Sequence, residues 1–476
     1  MRRFLSAPLF VLLTALGGCI PWFLLPEQFN PSAQSWILKW NHVAVDASGL
    51  DHTPPKPGDP RVFGHQLGPT RSSRAMAIVH IAMFEAVNAI AGGYESYLGI
   101  APAPADTSMQ AAICQSAHDT LVALFPSHTP TFDQKLAEDL NSIPDGSAKS
   151  NGIALGQQTA AAILARRAGD GSEIQEDYVY SDQPGRWRVD PLNPGQEALG
   201  NTWHLVKPFV MTRAEQFRAP PPPSIKGAEY AAAYNEVMQY GGDGVTTPTI
   251  RTPEQTMIGI YWAYDGTPSL CAPPRLYNQI AVRIGTDRGL GIVDMARLLA
   301  LVNVAMADAA IAIWESKYYY DYWRPVTGIR ESDAGTGPTG LGDENPLTPG
   351  DVNFTPLGAP ASNLAGPNFT PPFPAYPSGH AGFGGSLFQV LREFFGTDAI
   401  AFTFVSDELN GSTLDNEGNT RPLVPRSFRS LSQAEEENGQ SRIYLGIHWS
   451  FDKSEGIAQG NRVGKYVAAH IFRPTN

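Results

Sequence analysis

Cysteine is scarce in this chain, with three among 476 residues, which is too few for a disulfide framework. No Cys/His spacing resembles a zinc site, and neither a phosphate-cradling Gly-x-x-x-x-Gly-Lys loop nor a dinucleotide fingerprint occurs. Basic residues are outnumbered 34 to 46, for a net charge of −12, so the composition gives no support for nucleic-acid binding. Any strong anion site must then be a local cation cluster working against the global field. Strand-type alternation is rare, and no internal repeat is evident. After the N-terminus, no stretch is read as long and apolar enough to cross a membrane.

What the chain does have is a leader, helices and long loops. Arg2 and Arg3 precede an apolar run from Phe4 to Leu16, the pattern of an export signal. Leu16-Gly17-Gly18-Cys19 resembles a lipobox, which would make Cys19 a lipid anchor. An ordinary cleaved signal and an uncleaved anchor over 4–25 stand as alternatives. The expectation is an exported protein, in the periplasm or cell envelope or secreted, with a soluble domain after the leader. Cys114 and Cys271 are expected to be buried thiols, with a single bridge as the alternative.

Hydrophobic residues make up 42% of the chain, enough for a sizeable core, and 41 prolines with 46 glycines point to long ordered loops. Helical periodicity predicts an all-α fold. Helices are expected at 73–90, 109–124, 131–140, 152–167, 228–239, 252–264, 292–323, 378–395, 431–445 and 452–472. The irregular stretch 171–224 ends in the stiff run Pro220–Pro223 and is read as a seam. The organisation is therefore 1–24 leader, 25–225 N-terminal helical half and 226–476 C-terminal helical catalytic half. The helix from Ile292 is apolar on most faces and should be central and buried. Asp308 within it is expected to accept a structural hydrogen bond. Gly456, Gly460 and Gly464 form a stripe that admits a close helix neighbour. The loop from Ser332 to Pro377 is long enough to be functional.

Three segments carry the chemistry. Lys317 and Arg324 lie seven residues apart, two helical turns with about −20° of residual rotation, so both cations and Trp314 share one face. Pro325 puts Arg324 at the helix end. In Pro377-Ser378-Gly379-His380, Ser378 is a natural N-cap and Gly379 leaves its N–H unshielded at a helix start, while His380 is ready for proton transfer. Arg442 and His448 would not converge on a continuous helix, but Gly446 offers a stop after which His448 can swing back. Asp452 can accept from one imidazole nitrogen of His448 and leave the other free as nucleophile or ligand. Each segment alone reads more easily as a dipole complement, a capped helix or a surface salt bridge. Together they fix eleven residue types in order, a coincidence on the order of one in ten million at roughly 5% per type. A pocket enclosing one tetrahedral oxyanion is the joint reading.

The order Lys-x6-Arg-Pro, Pro-Ser-Gly-His, Ser-Arg-x5-His-x3-Asp resembles the tripartite signature shared by vanadium-dependent haloperoxidases, bacterial acid phosphatases and type-2 phosphatidic acid phosphatases. The wider text of 255–452 is most similar to the haloperoxidases of the fungal chloroperoxidase type. That resemblance implies two helical bundles with the pocket in the second. It implies vanadate as cofactor, held by Lys317, Arg324, Ser378, Gly379 and Arg442, with the metal on His448 and His380 taking a proton from hydrogen peroxide. It further implies that Asp265 pairs with Arg442, and that Trp314 and Phe373 line the halide side. The position of Phe373 is typically histidine in bromide-preferring algal relatives, so the expectation leans to chloride. Hydrogen peroxide, halide and small organic acceptors would be the partners. Two departures stand out: Cys271 replaces a usual glycine, and Gly382 replaces a usual threonine and is expected to open the pocket wall. An exported acid phosphatase working through a phosphohistidine is the alternative, and a non-catalytic envelope lipoprotein a minor one.

Overall fold

The computed structural model describes residues 34–475. The leader and Cys19 lie outside the described residues. The first half supplies α1 (Gln34–Asp51), α2 (Gly68–Ala91), α3 (Met109–Leu124), α4 (Thr129–Ser142) and α5 (Ser147–Arg167). The second supplies α6 (Ala228–Tyr240), α7 (Pro253–Tyr261), α8 (Pro273–Asp287), α9 (Ile292–Tyr320), α10 (Pro325–Arg330), α11 (Gly379–Phe395), α12 (Leu431–Tyr444) and α13 (Ser450–His470). A two-stranded antiparallel hairpin, β1 (Phe402–Asn410) and β2 (Leu423–Phe428), interrupts the helices. The fold is helical, as the periodicity predicts. α1, α8, α10 and the hairpin are additions to the sequence reading. α8 starts Pro273-Pro274, which reads as a breaker but fits the first helical turn, where no N–H is needed.

α9 is the axis of the molecule. It is buried from Leu298 through Lys317, and it packs against α2 on one side and against α11 and α13 on the other. One hydrophobic core joins residues of α1, α2 and α3 to residues of α8, α9, α11 and α13. α2 and α9 are both long and apolar enough to cross a membrane, which corrects the expectation that no such stretch follows the leader. Both are buried over most of their length, because they are core helices of the same fold.

The stretch 171–224 carries two short 3-10 turns, Trp203–Leu205 and Ala214–Phe217, and is strapped onto α9. Asp308 fastens it there, accepting from the backbone N–H of Phe209 (2.6 Å), Val210 (2.9 Å) and Met211 (2.8 Å). Cys114 and Cys271 are buried and free. Cys271 sits at φ 59, the left-handed region where glycine is the easy occupant.

α11 and α13 approach backbone to backbone. A Cβ on Gly460 would lie 2.1 Å from the Gly382 carbonyl, and one on Gly456 2.7 Å from that of Ser378. This contact seats the N-terminus of α11 against the start of α13, and Ser378 N–H donates to the Asp452 carbonyl at 2.9 Å. Gly382 belongs to this packing. A Cβ there would meet Ile313 Cδ1 at 2.4 Å, so the glycine serves the α9–α11 contact and does not widen the pocket wall, contrary to expectation.

Candidate functional site

α9 ends at Tyr320, three residues short of the predicted limit, because Asp321 takes the left-handed conformation at φ 53. Arg324 is therefore not on the helix with Lys317, but on extended backbone as N-cap of α10. The two cations still meet, because the loop before α11 folds over both. Lys317 Nζ donates to the carbonyls of Pro374 (2.7 Å) and Ala375 (2.9 Å), and Arg324 Nε donates to that of Phe373 (2.9 Å).

The third segment closes on the same place. α12 stops at Tyr444, and Gly446 at φ 71 turns the chain back, as its position predicts. Arg324 Nη1 reaches the Ile447 carbonyl (2.8 Å) and His448 Nε2 (2.9 Å). His448 Nδ1 donates to Asp452 Oδ2 at 2.8 Å, and the same oxygen accepts from Trp449 N–H at 2.9 Å. A guanidinium can only donate, so the lone pair sits on Nε2 and the hydrogen on Nδ1. Arg442 Nη2 donates to both oxygens of Asp265, at 2.7 and 2.9 Å.

α11 supplies the remaining wall. Ser378 caps the helix, its Oγ accepting from Ala381 N–H. A Cβ on Gly379 would stand 3.5 Å from Trp314 and 4.0 Å from Lys317 Cε, in the space the cradle uses. His380 Nε2 is hydrogen-bonded to the Ala263 carbonyl and lies 3.9 Å from Asp265 Oδ1. A carbonyl cannot donate, so neutral His380 keeps its hydrogen on Nε2 and presents Nδ1 bare. Tyr277 Oη and Asn438 Nδ2 both donate to the His380 backbone carbonyl, at 2.9 and 3.0 Å, and hold the turn. Trp314 and Phe373 face each other at 4.9 Å between ring centroids, and the Lys317 and Arg324 cations sit over Phe373 at 5.1 and 5.0 Å.

The electrostatics of this cluster ask for an anion. Burial, then the neighbouring Arg324, hold the Lys317 ammonium well below its ordinary range. Burial brings Arg324 down to about 9. Both His380 and His448 are pushed far toward the neutral form, by burial first and then by the surrounding cations. Asp452, the partner of His448, is raised to about 7 by burial. Donors are also left over: Arg324 Nη2 and Arg442 Nε and Nη1 are buried without a partner. Charged donors seldom stay buried and unpaired, and guanidinium N–H groups fit the oxygens of a small oxyanion. Three cations with free donors, a bare imidazole nitrogen and a capped helix start therefore suit one trigonal or tetrahedral oxyanion.

Lys317, Arg324, Ser378, Gly379, His380, Arg442, His448 and Asp452 meet around this point, with Asp265, Trp314 and Phe373 beside them. Those the sequence did not reveal are mostly backbone: the carbonyls of Ala263, Phe373, Pro374 and Ala375 leave no side-chain trace. Tyr277 and Asn438, which hold the His380 carbonyl, also escaped notice. A cavity of about 300 Å³ opens from the cradle, and His52 lines it together with Gln196 and Leu199.

Comparison with known proteins gives the same answer by another route. A family model described as the VCPO second helical-bundle domain matches residues 297–476. The chain is 30% identical to the vanadium chloroperoxidase of Curvularia inaequalis, over 90% of this chain and 80% of that protein. The chain belongs to the vanadium haloperoxidase family. Solved structures carry the haloperoxidase fold across nearly its full length. A bacterial vanadium-dependent iodoperoxidase superposes with a TM-score of 0.71 at 23% identity, covering 92% of this chain and 97% of its own. A bacterial vanadium-dependent chloroperoxidase in its holo form gives 0.63 at 16% identity, covering 88% and 95%. By their names these relatives are vanadium enzymes.

Proposed function

We propose that this chain binds vanadate in the cradle and oxidises chloride or bromide with hydrogen peroxide to hypohalous acid. The observation that carries the reading is the buried cluster of Lys317, Arg324 and Arg442 with unpartnered guanidinium nitrogens beside His448, whose Nε2 lone pair faces Arg324 Nη1 at 2.9 Å. Lys317, Arg324, Arg442, Ser378 and Gly379 would hold the oxygens, and His448 Nε2 the metal. Vanadate, when bound, supplies a centre that makes hydrogen peroxide electrophilic toward halide without a change of its own oxidation state.

The chain's own groups do the rest. Asp452 keeps the His448 hydrogen on Nδ1, and Asp265 holds the Arg442 guanidinium through both carboxylate oxygens. His380, neutral and bare at Nδ1, takes a proton from hydrogen peroxide as it enters and can return one to the leaving oxygen. The Trp314–Phe373 face with two cations above it offers a halide an apolar, positively polarised seat, and Phe373 supports the chloride-capable reading. The leader with its Arg2-Arg3 start supports export to the periplasm, envelope or medium, with Cys19 as the anchor if lipidated.

The test is halogenation of a dimedone-type acceptor with vanadate, peroxide and each halide, beside hydrolysis of an aryl phosphate without vanadate. Vanadate-dependent halogenation, abolished in His448→Ala, is expected. Phosphate ester turnover with no vanadate-dependent halogenation would overturn the proposal.

A further inference from the structure

The turn between α7 and α8 serves the cradle twice. The Ala263 carbonyl accepts from His380 Nε2, and two residues later the Asp265 carboxylate accepts from Arg442 Nη2 at 2.7 and 2.9 Å. Tyr264 stands between them in the left-handed region, at φ 46. For a bulky side chain that conformation is a genuine outlier. The reversal at Tyr264 fixes how the carbonyl before it and the carboxylate after it are aimed. Strained backbone of this kind persists where the surroundings hold it.

The holding groups come from β1. Glu408 is fully buried, and its Oε1 accepts from Tyr264 N–H at 3.0 Å. α7 has already ended at Tyr261, so the carboxylate takes the place of a helical carbonyl. The other oxygen of Glu408 is fixed from two sides. Ser362 Oγ donates to it at 2.6 Å, and Arg421 forms an ion pair with it while also donating to Ser362 Oγ at 2.8 Å. The same strand grips the neighbouring residues. Ser406 Oγ donates to the Tyr261 carbonyl at 2.6 Å, and Asp407 N–H donates to Tyr264 Oη at 2.6 Å. Glu408 is thus a buried charge that no step of the proposed reaction uses, and it is aimed at one backbone N–H beside the cradle. An ionised acceptor makes the stronger hydrogen bond.

We propose that Glu408 is a positioning residue of the oxyanion site, holding the left-handed Tyr264 so that the Ala263 carbonyl meets His380 and Asp265 meets Arg442. The proposal rests on the haloperoxidase reading and adds a residue to its machinery. Glu408 touches no reacting atom. It acts through hydrogen bonds in series, from its carboxylate to the turn and from the turn to the imidazole and the guanidinium. Without this acceptor the Tyr264 N–H is buried unpaired, which favours relaxation of the turn. Both cradle groups then lose the partner that orients them. Outer partners of a metal site typically matter by about 10–100-fold in affinity.

Two double variants separate the acceptor from the buried charge. Glu408→Gln with Arg421→Met removes the ion pair, yet the amide oxygen still accepts from Tyr264 N–H while the amide nitrogen donates to Ser362 Oγ. Glu408→Ala with Arg421→Met removes the acceptor as well. In calorimetric titration with orthovanadate, below the unfolding range of every form, the glutamine variant should stay within about threefold of the unaltered protein. The alanine variant should bind about 10–100-fold more weakly. Equal losses in the two variants overturn the proposal. So does full affinity in the alanine variant with only a lowered unfolding midpoint, the mark of a merely structural role. Amide exchange gives a readout that needs neither vanadate nor the alanine variant. The Tyr264 N–H should exchange as slowly as the buried amides of α9 in the unaltered protein and in the glutamine variant, and exchange at the rate of an exposed loop would overturn the proposal. Failure of the unaltered protein to bind orthovanadate would instead sink the haloperoxidase reading, and the exchange rates would still decide for or against Glu408.

Discussion

Asp452 touches no part of the cavity, yet the whole cradle leans on it. Its Oδ2 takes the His448 hydrogen and the Trp449 N–H, while its carbonyl takes Ser378 N–H, so one residue registers α13 against α11 and sets the imidazole's tautomer. Removing such an outer partner from a ligand histidine typically weakens metal binding by about 10–100-fold. Asp452→Ala should lower vanadate affinity within that range, measured by titration of the purified protein. Unchanged affinity would mean that the imidazole is oriented by something else. At this scale the side chains were legible in the sequence, because Lys, Arg, His and Ser-Gly at fixed spacings carry their chemistry openly. Their acceptors were not, since any residue can supply the Ala263 or Pro374 carbonyl.

The elements show where periodicity succeeds and where it misleads. Lys317 and Arg324 were placed together by helical geometry. They do meet, but through a helix that stops at Tyr320 and a loop that folds back over Arg324. Pro325 signalled the break, while the left-handed turn at Asp321 had no proline or glycine to announce it. The glycine stripe of α13 was read correctly as a packing surface, and Gly382 incorrectly as pocket wall, because one side of a helix cannot be told from another without its neighbours. Gly460→Ala should therefore cost several kcal/mol, as its methyl would run into the Gly382 carbonyl, whereas Gly195→Ala, in open space, should stay within about 0.5 kcal/mol. Chemical denaturation of both variants checks this, and equal stability would contradict the close approach.

The strap at 209–211 makes a second prediction at the scale of elements. Burial raises Asp308 from its ordinary 3.8 to about 6, even against its three N–H donors. The folded chain then holds this proton more tightly than the unfolded chain, so the contribution is present in full below about pH 4. It is lost as pH rises through about 6, up to about 3 kcal/mol in all. Asp308→Asn should flatten the stability profile across that window. A slope unchanged by the substitution would assign the titration elsewhere.

At the scale of the molecule, a chain of net charge −12 gathers three cations in its interior around α9. The halves join in one core along α2 and α9, and the cavity draws its wall from both, so first-half residues face a site whose chemistry is carried by the second. The helical class and the meeting of the three segments were readable because helix periodicity and ordered motifs survive in one dimension. The first half's share in the cavity was not, because its residues there (Phe63, Leu67, Gln196) belong to loops without chemical signature. The central claim is that these distant segments make a single oxyanion site, and a crystal structure of the protein soaked in orthovanadate tests it most directly. Anomalous scattering should place one vanadium beside His448 Nε2, with its oxygens on Lys317, Arg324 and Arg442. Vanadium bound elsewhere, or an ordered cradle that stays without it at saturating orthovanadate, would contradict the account.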